Sequence, residues 1–206
     1  MLPLIVDMDG TLLRSDMSYA NLLAMAAHSP EVLLKLPGWL LQPRNICRAN
    51  MADVALPDTH NLPLNPDCVG LIVERRAAGA RIVLIAAADS RIVAAVAQQT
   101  GLFDEWHGSN RDTDLSGANK ARFLVDLFGE RGFDYIGDSQ TDLPAWQTAR
   151  RAYTLGSSPR LQQNAASANS DIVHLAPTPA SIAAWFLPLW RALRPHQWVK
   201  NVLVFA

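Results

Sequence analysis

The sequence predicts an α/β fold: a Rossmann-like three-layer parallel sheet with helices on both faces and a small helical cap inserted after the first strand. Short runs of branched apolar residues alternate with segments of helical length through most of the chain. Gly79, Gly101 and Gly129 follow three of these segments, at positions where helices commonly end. Residues 12–70 do not join the alternation, which identifies them as the inserted cap.

The individual elements can be assigned from these patterns. Strands are predicted at residues 4–6, 81–86, 133–136, 152–155 and 171–174. Helices are predicted between them at residues 68–78, 91–99, 118–128 and 142–151. The cap is expected to hold helical stretches at 19–27 and around 31–41. The predicted domains are therefore a core of residues 1–11 and 71–180, the cap of residues 12–70, and a tail of residues 181–206.

Composition narrows the classes of function. The formal net charge of −1 gives no hint of a nucleic-acid surface. Cys47 and Cys68 are expected to be buried thiols in a reducing compartment. The first apolar run lacks a basic flank and stops at Asp7, so no signal peptide is expected. Since no apolar run approaches about 18 residues, the globular part is expected in the cytoplasm or at the cytoplasmic face of the membrane.

Carboxylates follow two of the predicted strands. Asp7 and Asp9 end the first strand in LIVDMDGT, and Asp138 and Asp142 follow the third in YIGDSQTD. On a regular strand Asp7 and Asp9 would share a face. Because parallel strands end at one sheet edge, Asp7 and Asp138 are expected to meet there, where two carboxylates repel unless a cation separates them. Oxygen ligands of this kind favour Mg²⁺.

The turn after the first strand is a candidate phosphate site. Gly10 and Thr11 predict a tight turn whose backbone amides point into the crevice, and such amides bind phosphate. Taken alone, DMDGT is more often an ordinary satisfied loop, and GDSQTD could simply cap a helix through Asp138 or Ser139. Their joint occurrence at two strand ends favours the functional interpretation.

These two motifs resemble those of the haloacid dehalogenase-like (HAD) phosphohydrolase superfamily, phosphoserine-phosphatase-like branch. The resemblance extends to about residue 175 and implies a Mg²⁺-dependent phosphomonoesterase. Asp7 would be the nucleophile that becomes an aspartyl phosphate, and Asp9 the general acid and then the base. Asp7, the carbonyl of Asp9 and Asp138 would hold Mg²⁺, supported by Asp142. Two displacements need a nucleophilic carboxylate and a separate proton carrier, which agrees with this assignment.

The resemblance also implies a lysine and a hydroxyl at the phosphate site. Lys120, at the opening of a predicted helix, is the candidate lysine, although an isolated helical lysine is usually a solvated surface charge. The hydroxyl is missing, because the second strand reads RIVLIAAADSR and places Ala86 or Ala87 at that position. Ser90 is expected in the following helix. Loss of one such donor can cost about 2.7–4 kcal/mol of barrier.

The tail differs in character from the rest of the chain. After Asp171 there is no acid, and Arg191, Arg194 and Lys200 lie among tryptophans and other apolar residues. A helix packed on the core and a juxtamembrane segment both fit this composition. LRPHQWVKNVLVFA, residues 193–206, resembles the opening of UbiA-type prenyltransferases. The chain is therefore expected to be the phosphatase-like N-terminal part of a fusion, or a truncated copy of one, with residues 181–206 as the start of a truncated membrane prenyltransferase-like region.

Two hypotheses about function follow. The first is a phosphatase acting on a small phosphorylated substrate, which the tail suggests is lipid-linked within a polyprenyl pathway. The second is a weakly active or inactive phosphate-binding module that accompanies or regulates a membrane prenyltransferase. The intact carboxylates and Lys120 favour the enzyme, whereas Ala86, Ala87 and the tail favour the module.

Overall fold

A computed structural model describes residues 1–156 and 158–175 of the chain. Its six strands form one sheet in the order β3-β2-β1-β4-β5-β6, and every neighbouring pair is parallel. The strands are β1 (Leu4–Asp7), β2 (Ile82–Asp89), β3 (Glu105–Ser109), β4 (Asp134–Gly137), β5 (Arg151–Leu155) and β6 (Ile172–Leu175). The predicted α/β class with a parallel sheet is confirmed.

Helices cover both faces of the sheet because successive strand residues point to opposite sides. The α-helices are α1 (Met17–His28), α2 (Leu36–Leu40), α3 (Arg44–Val54), α4 (Pro66–Ala77), α5 (Ser90–Thr100), α6 (Gly117–Phe128), α7 (Leu143–Thr148) and α8 (Pro159–Ala168). Two 3-10 helices span Pro30–Lys35 and Gln140–Asp142. Leu4 and Val6 enter the core beneath α4 and α5, whereas Ile5 enters the core beneath α6, α7 and α8.

The observed boundaries differ from the predicted ones in a few places. The second strand continues to Asp89, three residues beyond its predicted end. The third strand, Glu105–Ser109, was not predicted, since an edge strand reading EWHGS lacks the branched apolar run of the central strands. The predicted helix around residues 31–41 is a 3-10 helix followed by the short α2, and α3 occupies residues for which no helix was predicted.

The segment between β1 and α4 is the helical insert that the sequence predicts. It has a small core of its own around Met25, Cys47 and Met51, all buried. Helix α3 is attached to the sheet domain by Arg91, which donates to Asp89 Oδ1 at 2.8 Å and to Asp53 Oδ1 at 2.7 Å. The insert is thereby held above the C-terminal edge of β1 and β2.

Two sequence expectations concern the cysteines and the tail. Cys47 and Cys68 are free, buried thiols, as predicted. Among the described residues, no helix combines the length and apolarity that crossing a membrane requires. The predicted tail of residues 181–206, with its resemblance to prenyltransferases, lies outside the described residues.

Candidate active site at the sheet edge

Asp7 and Lys120 form a buried ion pair at the end of the first strand. Asp7 is the last residue of β1 and is 8% exposed. Lys120 lies in the first turns of α6, on the face that also buries Ala121 and Leu124, and is only 4% exposed. Its ammonium donates to Asp7 Oδ1 at 2.5 Å. Lys120 is therefore not the solvated surface charge that an isolated helical lysine usually is.

Tyr135 joins this pair to Asp142. The Tyr135 hydroxyl donates to Asp142 Oδ1 at 2.7 Å and accepts from Lys120 Nζ at 3.1 Å. Lys120 also lies 3.4 Å from Asp142 Oδ1. Tyr135 was not among the predicted site residues, because its position inside an apolar strand is typical of a core residue. The available signal was its hydroxyl, since a buried tyrosine normally finds a hydrogen-bond partner.

Asp142 is fixed from the other side by the loop after β4. Its Oδ2 accepts from the Ser139 amide at 3.1 Å, the Ser139 hydroxyl at 3.0 Å and the Asp138 amide at 3.3 Å. Gly137 permits this approach, because a Cβ there would lie 2.7 Å from the Asp142 carboxyl carbon. The loop predicted as a possible helix cap does form a capping box around Asp142, and that cap also orients the carboxylate.

Asp138 faces the turn that follows β1. Gly10 adopts a φ of +78°, and a Cβ at that position would lie 2.1 Å from Asp138 Oδ2, so both its conformation and its close approach require glycine. The Thr11 hydroxyl donates to Asp138 Oδ1 at 3.2 Å. The predicted meeting of the two motifs at one sheet edge is therefore observed.

Three carboxylates of this edge could share a cation. Asp7, Asp138 and Asp142 each offer an oxygen, and these oxygens lie within 4.8 Å of one another. The single ammonium of Lys120 leaves the cluster with an excess of negative charge. An all-oxygen donor set with excess negative charge suits a hard divalent cation such as Mg²⁺.

Asp9 lies beyond β1, which ends at Asp7, so the shared face expected on a regular strand stays a prediction. The strand ends at Asp7, and the chain turns, with the Leu12 amide donating to the Asp7 carbonyl at 3.2 Å. The Asp9 carboxylate instead accepts from the Met17 amide, at the start of α1, at 2.7 Å. The side chain of Asp9 lines the crevice under the insert, as does that of Asp138.

Burial shifts the pKa of three of these acids upward. Desolvation raises the pKa of Asp7 to about 8, against the opposing effect of Lys120 and with a further increase from Asp142. Desolvation also raises the pKa of Asp9 to about 6, opposed by the hydrogen bond from Met17. The pKa of Asp138 rises to about 6, from desolvation first and then from Asp142. A cation in the cluster would favour the ionised forms of Asp7 and Asp138.

The alanines at the predicted hydroxyl position lie within β2. Ala86 is buried in the core on the same side of the sheet as Leu84, whereas Ala87 is partly exposed. Ser90 is the first residue of α5, as expected, and its position follows the strand rather than belonging to it. The assignment of Ala86 or Ala87 to a phosphate site stays a prediction.

A crevice of about 440 Å³ opens between the sheet edge and the insert. It is lined by Asp9, Gly10, Arg14, Ser15, Asp16, Ser18, Arg48, Asp138, Ser139 and Thr141. Arg48 projects from α3, and its Nη1 is buried without a hydrogen-bond partner, 3.7 Å from Asp114 Oδ1. Arg48 is thus partly buried beside the crevice, with a side chain that is 26% exposed.

Comparison with curated proteins finds a longer relative of this chain. No protein-family model matches the chain. The uncharacterized protein y4nM of Sinorhizobium fredii is 35% identical over 206 residues, which cover 99% of this chain and 39% of that protein. The chain therefore spans well under half the length of this curated relative.

Solved structures with the same fold include HAD-family hydrolases. A protein of unknown function from Bordetella pertussis matches with a TM-score of 0.63 at 17% identity, over 83% of this chain and 97% of that one. A HAD-family hydrolase from Salmonella enterica serovar Typhi matches with a TM-score of 0.58 at 14% identity, over 84% and 68%. A phospho-aspartyl intermediate analogue of phosphoserine phosphatase matches at 0.54 and 13%, over 83% and 91%. The chain thus has the fold of HAD-family hydrolases.

Proposed function

We propose that the protein is a Mg²⁺-dependent phosphomonoester hydrolase that uses Asp7 as its nucleophile. The observation that carries this proposal is the buried contact between Asp7 and Lys120 inside a cluster with excess carboxylate. A buried excess of carboxylates costs folding free energy unless a cation offsets their charge. A cation held there could also bind a negatively charged reactant such as a phosphate. The match in fold to HAD-family hydrolases supports the same activity.

In the proposed reaction, Asp7 attacks phosphorus and the bond to the leaving oxygen breaks as Asp9 gives that oxygen its proton. Lys120 holds Asp7 Oδ1, and no donor among the described residues contacts Oδ2, which leaves that atom for attack. Water then attacks the aspartyl phosphate, Asp9 takes a proton from it, and Asp7 is released with inorganic phosphate. A pKa near 6 suits Asp9 to both proton transfers.

The metal would be held by Asp7, Asp138 and the carbonyl of Asp9, with Asp142 in support. When bound, Mg²⁺ supplies positive charge that offsets the repulsion between a carboxylate and a phosphate dianion. Lys120 contributes a further positive charge through its contact with Asp7. The chain's own part is to hold the nucleophile, to carry the proton on Asp9 and to present the turn of Gly10 and Thr11 to the phosphoryl oxygens.

The proposed substrate carries a further anionic group on its leaving-group side. Arg14 and Arg48 line the crevice beside Asp9. Arg14 is exposed, and Arg48 forms an ion pair with Asp114 Oδ1 at 3.7 Å, while its Nη1 has no hydrogen-bond partner. Guanidinium groups so placed suit a carboxylate or a phosphate. A polyprenyl-linked sugar phosphate, as suggested by the sequence of the tail, would meet this condition if the sugar is joined to the lipid through a phosphate, because that phosphate stays on the leaving group.

The alternative function is a weakly active phosphate-binding module beside a membrane prenyltransferase. It is favoured by the absence of a hydroxyl at Ala86 and Ala87, where a preorganised donor would otherwise contribute to catalysis. Introducing threonine at each position in turn distinguishes the two functions. An increase in turnover with one of these variants supports the enzyme, whereas no turnover in either variant or in the wild type supports the module.

The direct test is phosphate release from a panel of phosphomonoesters with Mg²⁺, compared between the wild type and Asp7→Asn. We expect turnover in the wild type that EDTA abolishes and that Asp7→Asn lacks. Substrates with a second anionic group should be turned over better than neutral esters. Equal rates for the wild type and Asp7→Asn would remove Asp7 from the mechanism.

A further inference from the structure

Helix α3 is attached by hydrogen bonds to the loop that follows β3. Asn45 Nδ2 donates to the carbonyl of Asn110 at 3.0 Å and to the carbonyl of Arg111 at 2.9 Å. About two helical turns later, Asp53 Oδ2 accepts from Arg111 Nη2 at 2.5 Å. These contacts hold both ends of α3 against the loop, so the position of the helix relative to the loop is well defined.

Arg48 and Asp114 belong to the same helix and the same loop, but their contact is of another kind. The contacts described above, and the one from Arg111 to Asn50, are hydrogen bonds of 2.5–3.1 Å. Arg48 Nη1 instead lies 3.7 Å from Asp114 Oδ1, beyond hydrogen-bond distance. Both atoms are buried, and neither has a hydrogen-bond partner among the described residues. The pair is therefore held by charge alone, and a buried polar atom without a hydrogen bond is costly.

A bound anion could give Arg48 the hydrogen bond that Asp114 does not provide. Arg48 lines the crevice together with Asp9, the proposed proton donor, whereas Asp114 lines a different cavity beside Asn119 and Arg122. A carboxylate or phosphate in the crevice can accept a charge-assisted hydrogen bond from a guanidinium, which is stronger than an ion pair at 3.7 Å. The Asp114 side chain is 26% exposed, so water can solvate its carboxylate when Arg48 turns away.

We propose that Asp114 competes with the substrate for Arg48. Asp114 holds Arg48 by charge before the substrate binds, and Arg48 then exchanges this carboxylate for the second anionic group of the substrate. Asp114 acts through Arg48 and is therefore a positioning residue, which limits how strongly the crevice prefers ligands with a second anionic group. The proposal deepens the proposed function and rests on its assignment of the crevice to a phosphorylated substrate.

The test is isothermal titration calorimetry, with Mg²⁺ present, of two ligands that cannot be hydrolysed. They are 3-phosphonopropionate and propylphosphonate, which differ in a carboxylate against a methyl group, so the ratio of their Kd values measures the preference for a second anion. The variants are Asp114→Asn, Arg48→Met and the two combined. The matched control is Asp112→Asn, which removes the same charge from an exposed residue of the same loop. Circular dichroism and thermal unfolding verify that each variant folds.

We expect the wild type to prefer 3-phosphonopropionate and Asp114→Asn to increase this preference about threefold, since so exposed an ion pair is a weak competitor. Arg48→Met should remove most of the preference, and adding Asp114→Asn to it should change nothing further. The control should match the wild type.

Several results would overturn the competition. A preference lowered by Asp114→Asn would mean that Asp114 only aligns Arg48, and an increase that persists beside Arg48→Met would mean that Asp114 repels the ligand directly. A wild type without preference, or a ratio unchanged by Asp114→Asn, would also contradict it.

The same measurements separate this proposal from the proposed function, because binding of the phosphonates needs no turnover. The expected pattern of Kd ratios in a chain that releases no phosphate from any ester would support the competition and overturn the phosphatase. Phosphate release that Asp7→Asn abolishes, beside a ratio unchanged by Asp114→Asn, would do the reverse.

Discussion

Two clusters of buried charge lie at opposite ends of strand β4, and they differ in how their charge is balanced. Asp134, at the start of the strand, is fully buried. It accepts from Arg150 Nε at 2.9 Å and from Arg150 Nη2 at 2.7 Å, and it also pairs with Arg75. Both carboxylate oxygens therefore have guanidinium partners, as a buried charge with a structural role requires.

The cluster at the other end of the strand has more carboxylates than cations. Among the described residues, Lys120 is the only cation paired with Asp7 and Asp142, and Asp138 has no ion pair. Burial raises the pKa of both Asp7 and Asp138. Such an excess of acid does not favour the fold. The comparison teaches that charge balance, rather than burial alone, separates a structural ion pair from a site prepared for a cation and a phosphate.

The largest expected effect is on the free energy of unfolding, which should differ between substitutions at the two ends of β4. Asp134→Asn should lower the free energy of unfolding by roughly 3–5 kcal/mol, because it leaves the buried Arg75 without its charge partner. Asp138→Asn should stay within about 1 kcal/mol of the wild type, since it relieves repulsion and can keep the contact with Thr11. Urea denaturation of both variants in EDTA measures the difference. Equal losses would contradict the distinction.

Removal of the single cation of the acid-rich cluster should abolish most of the activity. Lys120→Met should slow phosphate release by about 10²–10³-fold, because a preorganised charge beside Asp7 is lost. Steady-state kinetics measures the effect, and Lys35→Met, an exposed lysine of the insert, is the control. A Lys120→Met rate near that of the control would show that Lys120 only fills the core.

The pH dependence of Mg²⁺ affinity tests the raised pKa values. Metal binding requires the ionised carboxylates, so binding must release the protons that Asp7 and Asp138 hold at low pH. With pKa values of about 8 and about 6, the affinity should rise with pH, by about tenfold per pH unit between pH 6 and 8, and then level off. Isothermal titration calorimetry at several pH values measures it. An affinity independent of pH over this range would contradict the assignment of Asp7 as a ligand.

A smaller effect is expected from the tyrosine that links Lys120 to Asp142. Tyr135→Phe keeps the ring but removes the hydroxyl, so kcat should fall about tenfold while KM changes little, because the nucleophile's partner is less well positioned. Tyr153→Phe, a buried tyrosine of the next strand, serves as control. A higher KM with an unchanged kcat would instead indicate that Tyr135 contributes to substrate binding.

Much of this site is predictable from the sequence because of the geometry of parallel strands. Asp7 and Asp138 follow two apolar strands, and parallel strands end at one edge, so their meeting needs no knowledge of the loops. Lys120 followed from the resemblance to the HAD superfamily, since nothing in its own helix distinguishes it from a surface lysine. The partner of Asp9 could not be predicted, because the strand ends at Asp7 and the Asp9 carboxylate accepts from the Met17 amide of the insert.

Other parts could not be predicted, for physical reasons that differ from place to place. Tyr135 occupies an ordinary apolar strand position, and its function depends on contacts with residues that are distant in sequence. Arg48 lies in a helix that the sequence did not predict, and α3 is attached to the rest of the domain through Asp53, which accepts from Arg91 and Arg111. Tertiary contacts of this kind override local preference.

The central claim is that Asp7 becomes phosphorylated, and the covalent intermediate tests it most directly. The wild type is mixed with a turned-over phosphomonoester and Mg²⁺, quenched rapidly in acid and digested for mass spectrometry, beside Asp7→Asn. We predict one phosphoryl group on the peptide that contains Asp7 and none in Asp7→Asn. Phosphate release without any phosphorylated peptide, or phosphorylation at another residue, would contradict the account.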